Sequence, residues 1–163
     1  MSLINSISYG AGIPLDVSYW RDVTVTGNRF YIPSLGSWSS QTMASVQTAG
    51  TSWLLNWNNN RYFDSSPLFS GAAYTFAFNS VLNSMGGGRL SYSQWKAACG
   101  CDGGSQYGAG TPSGQEIYIR PNASEAGRAH IAVFNWSQQS SVAINLAGVL
   151  NIGDAYEVVD AQN

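Results

Sequence analysis

The chain has 163 residues and a mass of 17.4 kDa, with 44% hydrophobic and 13% aromatic residues but only 10% charged ones, and a formal net charge of −2. That hydrophobic content excludes a disordered segment, and the length allows one domain or two small ones. The seven basic residues, six of them Arg, are scattered singly, which argues against a nucleic-acid partner because a phosphate backbone requires clustered cations; no apolar run approaches the roughly 20 residues that span a bilayer, so no membrane insertion is expected.

Met1-Ser2-Leu3 runs directly into a strand-like pattern, with no basic region followed by an apolar stretch, so no signal peptide is visible. The end at Asp160-Ala161-Gln162-Asn163 is equally abrupt, and the chain reads as a piece of a longer protein. Val23-Thr24-Val25-Thr26 alternates, Gly27-Asn28 supplies a turn, and Arg29-Phe30-Tyr31-Ile32 resumes extended structure. Trp53-Leu54-Leu55, Asn58-Asn59-Asn60 and Arg61-Tyr62-Phe63 repeat that design. The shared core, Asn28-Arg29-Phe30-Tyr31 against Asn60-Arg61-Tyr62-Phe63, recurs after 32 residues, as coils of a solenoid do. Asparagine tolerates the left-handed backbone of a sharp corner. Stacked coils, about 4.8 Å apart, would place Asn28 above Asn60 in an amide ladder. Residues 34–50 between the copies read as an inserted loop, with one short strand or helical turn at 41–46.

Further on, 74–78 is a strand candidate and Met85-Gly86-Gly87-Gly88 a break. The one helix is expected at 92–98, with Ser91 or Ser93 as N-cap and Gly100 near its end. Residues 106–115 read as a linker, separating solenoid coils at 1–105 from a partial antiparallel β-sandwich at 116–163. Four strands are expected in the sandwich, at 116–120, 129–136, 141–146 and 155–159. Four strands leave open edges, which would require further cover or a second copy of the chain, so a homo-oligomer through exposed edges is one expectation. The fold class is therefore all-β with one short helix.

The two Asn-Arg-aromatic-aromatic copies, followed by Leu90-Ser91-Tyr92-Ser93-Gln94-Trp95-Lys96-Ala97-Ala98-Cys99-Gly100-Cys101-Asp102, resemble the last coils of right-handed parallel β-helix proteins of the pectin-lyase-like superfamily. Arg120-Pro121-Asn122, Gly127-Arg128-Ala129, Val133-Phe134-Asn135-Trp136 and Gly153-Asp154-Ala155-Tyr156-Glu157 are similar to a β-sandwich module at the C-terminus of secreted bacterial proteins, some of them carbohydrate-active. These resemblances imply an extracellular or cell-surface location. The superfamily's enzymes place paired carboxylates on adjacent coils for calcium or acid–base work. Here Asp16, Asp22 and Asp64 are not in such register, so no catalytic residue is assigned and no enzymatic activity is expected of this chain.

Single residues support the same reading. His130, the only histidine, alternates with Ile131 and Val133 and reads as a surface or structural residue. Asp22, Asp64, Asp102 and Asp154 read as turn caps rather than calcium ligands; no metal and no cofactor is implied. Cys99 and Cys101 read as free thiols, because a bridge across one residue makes a tight ring; a strained or intermolecular disulfide is the alternative, and metal a remoter one. The six tryptophans and nine tyrosines exceed what a small core requires. Aromatic faces beside amides suit a polysaccharide or other glycan, with Trp57, Asn58 and Asn60 as the first candidate site and Trp38 the second. Against this stands packing of Trp57 between coils, and against a carbohydrate-associated accessory or adhesion module stands a purely structural solenoid cap, or the non-catalytic end of a lyase or hydrolase.

Overall fold

Along Asp22–Thr26 alternation in the sequence becomes alternation of burial, because successive side chains point to opposite faces of a sheet. In a computed structural model, which describes residues 1–9, 14–33, 42–47, 54–65, 76–78 and 89–160, Val23 and Val25 face inward, 3% and 0% exposed, while Thr24 and Thr26 face outward. The chain separates into two compact units, Met1–Pro112 and Ser113–Asn163. Among the described residues it is all-β apart from one short helix.

In the first unit nine strands fall into three sheets that the chain visits in rotation. They are β1 (Ser2–Ile4), β2 (Ile7–Tyr9), β3 (Leu15–Ser18), β4 (Asp22–Thr26), β5 (Arg29–Ile32), β6 (Ala44–Gln47), β7 (Leu54–Asn58), β8 (Arg61–Asp64) and β9 (Phe76–Phe78). The first sheet is β1-β4-β7, the second begins β2-β5-β8, the third β3-β6-β9, and all of these neighbours pair in parallel. Each circuit of three strands is one rung, and equivalent corner residues lie 22 and then 32 positions apart. β10 (Arg89–Leu90) adds antiparallel to β9, and β11 (Gln106–Ala109) adds parallel to β8.

One expectation changes here, and the short strand or helical turn expected at 41–46 is a strand. Residues 106–109, read as part of a linker, are a strand, because the loop that follows the helix returns the chain to the open edge of β8. Within the segment read as an inserted loop, Ala44–Gln47 is a full member of the third sheet, with Ala44, Ser45 and Val46 buried.

The interior is graded. Its second rung contributes mostly small or aliphatic groups, Val23, Val25, Ile32, Ala44 and Val46, whereas the third contributes Trp57, Tyr62 and Phe76. Phe30 of the second rung stacks on Tyr62 at 5.4 Å and 11°. Over this aromatic end lies α1 (Tyr92–Cys99), which starts where expected: Ser91 is the N-cap, its hydroxyl accepts from Gln94 N–H, and the Gln94 side chain accepts from Ser91 N–H. Gly100 ends it in the left-handed conformation at φ 61°, which glycine adopts without steric cost. Trp95 stacks on Phe76 at 5.4 Å and meets Trp57 edge-on at 5.5 Å. Tyr92 packs against Tyr62, Phe76 and Tyr107, while Lys96 lies 4.8 Å from the Tyr92 ring centre.

The second unit contains β12 (Gln115–Pro121) and β13 (Ala129–Asn135), an antiparallel pair in register from Gln115↔Asn135 to Pro121↔Ala129. These are two of the four strands expected in this region. Residues 141–146 and 155–159 have no strand pairing, and Tyr156, Val158 and Val159 are 67%, 75% and 70% exposed. Alternating apolar residues make a strand only where another strand supplies the ladder of hydrogen bonds. At the hairpin turn Arg128 and Glu125 form an exposed ion pair at 2.8 Å, and His130 is exposed, opposite Arg120.

Candidate functional site

The repeated Asn-Arg-aromatic-aromatic segment has a separate task for each position. At each corner between the first and second sheets, the residue before the asparagine or its equivalent turns the backbone: Asn5, Gly27 and Asn59 have φ of 49°, 69° and 55°. The left-handed positions thus precede Asn28 and Asn60, which were expected to occupy them. Gly27 is required twice over, since its φ is positive and a Cβ there would collide with the side chain of Asn5 in the rung below.

Asn28 and Asn60 act through their side chains, both fully enclosed at 0% and 1% exposure. Ser6 N–H donates to Asn28 Oδ1 at 2.9 Å, Asn28 N–H to Asn60 Oδ1 at 3.0 Å, and Asn60 N–H to Ser105 Oγ at 2.7 Å. In the other direction Asn28 Nδ2 donates to Leu3 O and Asn60 Nδ2 to Val25 O, each at 2.9 Å. The expected amide ladder is present and runs through four levels. It satisfies backbone groups that burial would otherwise leave unpaired.

Its last level uses different residues for the same bonds. Trp57 O, equivalent by register to Leu3 O and Val25 O, accepts the backbone N–H of Asp102 at 2.7 Å instead of a side-chain amide. Ser105 Oγ, taking the place of an asparagine carbonyl, donates to Asp102 Oδ1. Asp102 is 1% exposed, with φ 64°, and its Oδ2 accepts from Tyr62 OH at 2.8 Å and Trp95 Nε1 at 3.0 Å. Tyr62 OH accepts in turn from Trp57 Nε1 at 2.7 Å. Burial first, and then the Asp102 charge, push the Tyr62 phenol far above its ordinary range; the same two causes push Tyr92 up to about 12. Both phenols therefore remain neutral donors across the physiological range.

In the sequence Asp102 reads as a turn cap, with no local signal that connects it with Tyr62 or Trp57. Its spacing from Trp95 was legible; its distance in space from Tyr62 was not. A buried carboxylate encircled by neutral donors has no open side for a substrate, so this cluster holds structure rather than performing acid–base chemistry.

The expected glycan site separates accordingly. Trp57 is 1% exposed, with its indole N–H committed to Tyr62, and Asn60 is enclosed in the ladder, so neither offers a surface to a sugar. Burial follows from α1, whose Trp95 closes over Trp57. Asn58 is half-buried, and its Oδ1 accepts Gly104 N–H at 2.6 Å. Trp38 lies outside the described residues. Cys99 and Cys101 are joined as a disulfide with Cα atoms 5.1 Å apart, which corrects the expectation of free thiols: the left-handed Gly100 between them turns the chain so that both side chains meet. Among the described residues no group of three or more His, Cys, Asp or Glu is placed to hold a metal ion.

The other three positions of the repeat are divided by the pleat. Phe30 and Tyr62 point inward, while Arg29, Tyr31, Arg61 and Phe63 lie on the outer face of the second sheet. There the register makes two parallel ranks: Ile7, Arg29, Arg61, Gln106, and beside it Tyr9, Tyr31, Phe63, Gly108.

Compared with protein-family models, curated proteins and solved structures, the chain gives no match.

Proposed function

We propose that this chain is a non-catalytic structural module that closes one end of a parallel strand solenoid, of the right-handed β-helix kind that its repeat resembles. The observation that carries this reading is the change of hydrogen-bonding partner at the last ladder level. Two asparagine levels can be extended indefinitely, because each both accepts from one neighbour and donates to another. The level made by Asp102 and Ser105 ends the series, since their groups are consumed by Trp57, Asn60, Tyr62 and Trp95 beneath α1. A stacked-repeat protein requires such a terminal unit to cover its last apolar layer. The disulfide supports an oxidising, extracellular or cell-surface setting, where such bonds persist.

Native-state hydrogen exchange tests this. The amides of Asn28, Asn60, Asp102 and Gln106 should exchange together at the slowest rates, as one cooperative unit. Fast exchange at Asp102 and Gln106 while Asn28 stays protected would show that the cap is not part of the core, and turnover of any polysaccharide by the purified chain would overturn the non-catalytic reading.

A further inference from the structure

The hairpin of the second unit is a sheet with both edges open. Among the described residues β12 pairs only with β13, and a two-stranded hairpin is at best marginally stable in water. Its pleat gathers the aliphatic groups: Ile117 and Ile119 lie opposite Val133 and Ile131, so four β-branched side chains share one face. That face is not covered, since Ile131 and Val133 are 36% and 41% exposed and Ile117 and Ile119 only half-buried. The other face carries Arg120 opposite His130, both exposed.

The same unit carries a strand-like sequence with nothing to pair with. Among the described residues the segment from Ala155 to Val159 makes no backbone hydrogen bond, and Tyr156, Glu157, Val158 and Val159 are all exposed. Laid out as a strand, it puts Tyr156 and Val158 on one side and Glu157 on the other. On an edge of the hairpin, the side with Tyr156 and Val158 extends the aliphatic face, and Glu157 then falls on the face of Arg120. Among the described residues neither Arg120 nor Glu157 has an ion partner of its own. From Asp154 to Asp160 the tail holds three acids and no base, so its charge complements that arginine.

We propose that a second copy of the chain completes this unit: residues 155–159 of each copy add as a strand to the open edge of β12 in the other, burying Tyr156 and Val158 beside Ile117 and Ile119 and setting Glu157 against Arg120. Strand addition satisfies the unpaired backbone groups of an open edge, and the alternate side chains give it register. Pro121, which has no N–H to give, ends the receiving edge. Donor and acceptor belong to the same chain, so two copies satisfy each other reciprocally and the exchange closes on a two-fold axis. The proposal concerns the second unit alone and is independent of the capping reading.

The test is sedimentation equilibrium of the full chain, disulfide intact, over roughly 1–100 µM. A monomer–dimer equilibrium is expected. Val158→Asp, which places a charge in the apolar contact, should weaken the dimer roughly tenfold or more. Arg120→Glu and Glu157→Arg each set like charges together twice per dimer, and each should weaken it severalfold. Mixing those two variants should restore the wild-type affinity, because one contact of the mixed dimer is native and the other joins the two reversed charges. No contact within a single chain gives that result. The unfolding midpoint of each variant reports whether it has folded. A monomer at every concentration, an open series of larger oligomers, a dimer of wild-type affinity in folded Val158→Asp or Arg120→Glu, or no recovery on mixing would each overturn the proposal.

Discussion

Asn60 Oδ1 accepts both the backbone N–H of Asn28, at 3.0 Å, and that residue's Nδ2, at 3.1 Å, so one side-chain oxygen joins two rungs that are 32 residues apart in sequence. The Asn60 amide nitrogen meanwhile holds Val25 O. A single buried side chain thus satisfies groups from a strand and a corner of the neighbouring rung.

Removing it should be costly. Asn60→Ala leaves Asn28 N–H and Val25 O buried without their partners, and is expected to destabilise the first unit by about 2–4 kcal/mol. Asn58→Ala removes only the bond from Gly104 near the surface, and should cost about 0.5–1.5 kcal/mol. Urea unfolding of the two variants measures the difference; equal losses would contradict the ladder as a principal support.

Asp102→Asn retains the shape of the side chain but turns an NH2 group toward donors. Because Tyr62 OH, Trp95 Nε1 and Ser105 Oγ all donate to this carboxylate, a loss of about 1–3 kcal/mol is expected, with a changed near-ultraviolet circular dichroism signal from Trp57 and Trp95. The exposed Asp16 serves as control, and Asp16→Asn should stay within about 0.5 kcal/mol of wild type.

Stability should fall in alkali. Tyr92 ionises at about 12 in the folded chain, against 10.0 for an unperturbed tyrosine, and Tyr62 is shifted in the same direction. Between these values the unfolded state has released protons that the native state still holds, so stability decreases as pH rises. The contribution is complete below pH 10 and disappears as pH passes through the folded value near 12. Equilibrium unfolding from pH 8 to 11.5 should show the decline beginning near the ordinary tyrosine value, and Tyr92→Phe should make it shallower.

Reduction of the Cys99–Cys101 bond should have a limited effect. It closes a loop of only three residues, for which chain entropy contributes about 1–2 kcal/mol. Unfolding in urea with and without a dithiol reductant should differ by that amount. A loss above about 4 kcal/mol would show that the bond also holds the adjacent Asp102 in place.

Much of the first unit was legible because its signals are local. Val23 and Val25 alternate with threonines, so their burial follows from the pleat; Ser91, Gln94 and Gly100 carry helix caps within four residues of the bonds they make. Repetition of Asn-Arg-aromatic-aromatic indicated stacked rungs and an asparagine ladder. It did not reveal that Asn59, rather than Asn60, takes the left-handed corner, because both residue types are asparagine and only the chain path distinguishes them. In the second unit, alternation at 141–146 and 155–159 resembled strands, but pairing is a property of two segments and neither has a partner among the described residues.

The sequence by itself determined the 32-residue spacing of the asparagine levels and the alternation of Val23 and Val25 with threonines, since both are read over short stretches of chain. Only the tertiary structure decided that Trp57 belongs to the core, that Asp102 completes a ladder begun at Ser6, and that Arg29 and Arg61 stand side by side on an outer face. Each of those outcomes depends on contact between residues far apart in the chain: α1 closing over Trp57, and successive rungs aligning in register. Burial and charge pairing are set by that approach, and no local pattern encodes it.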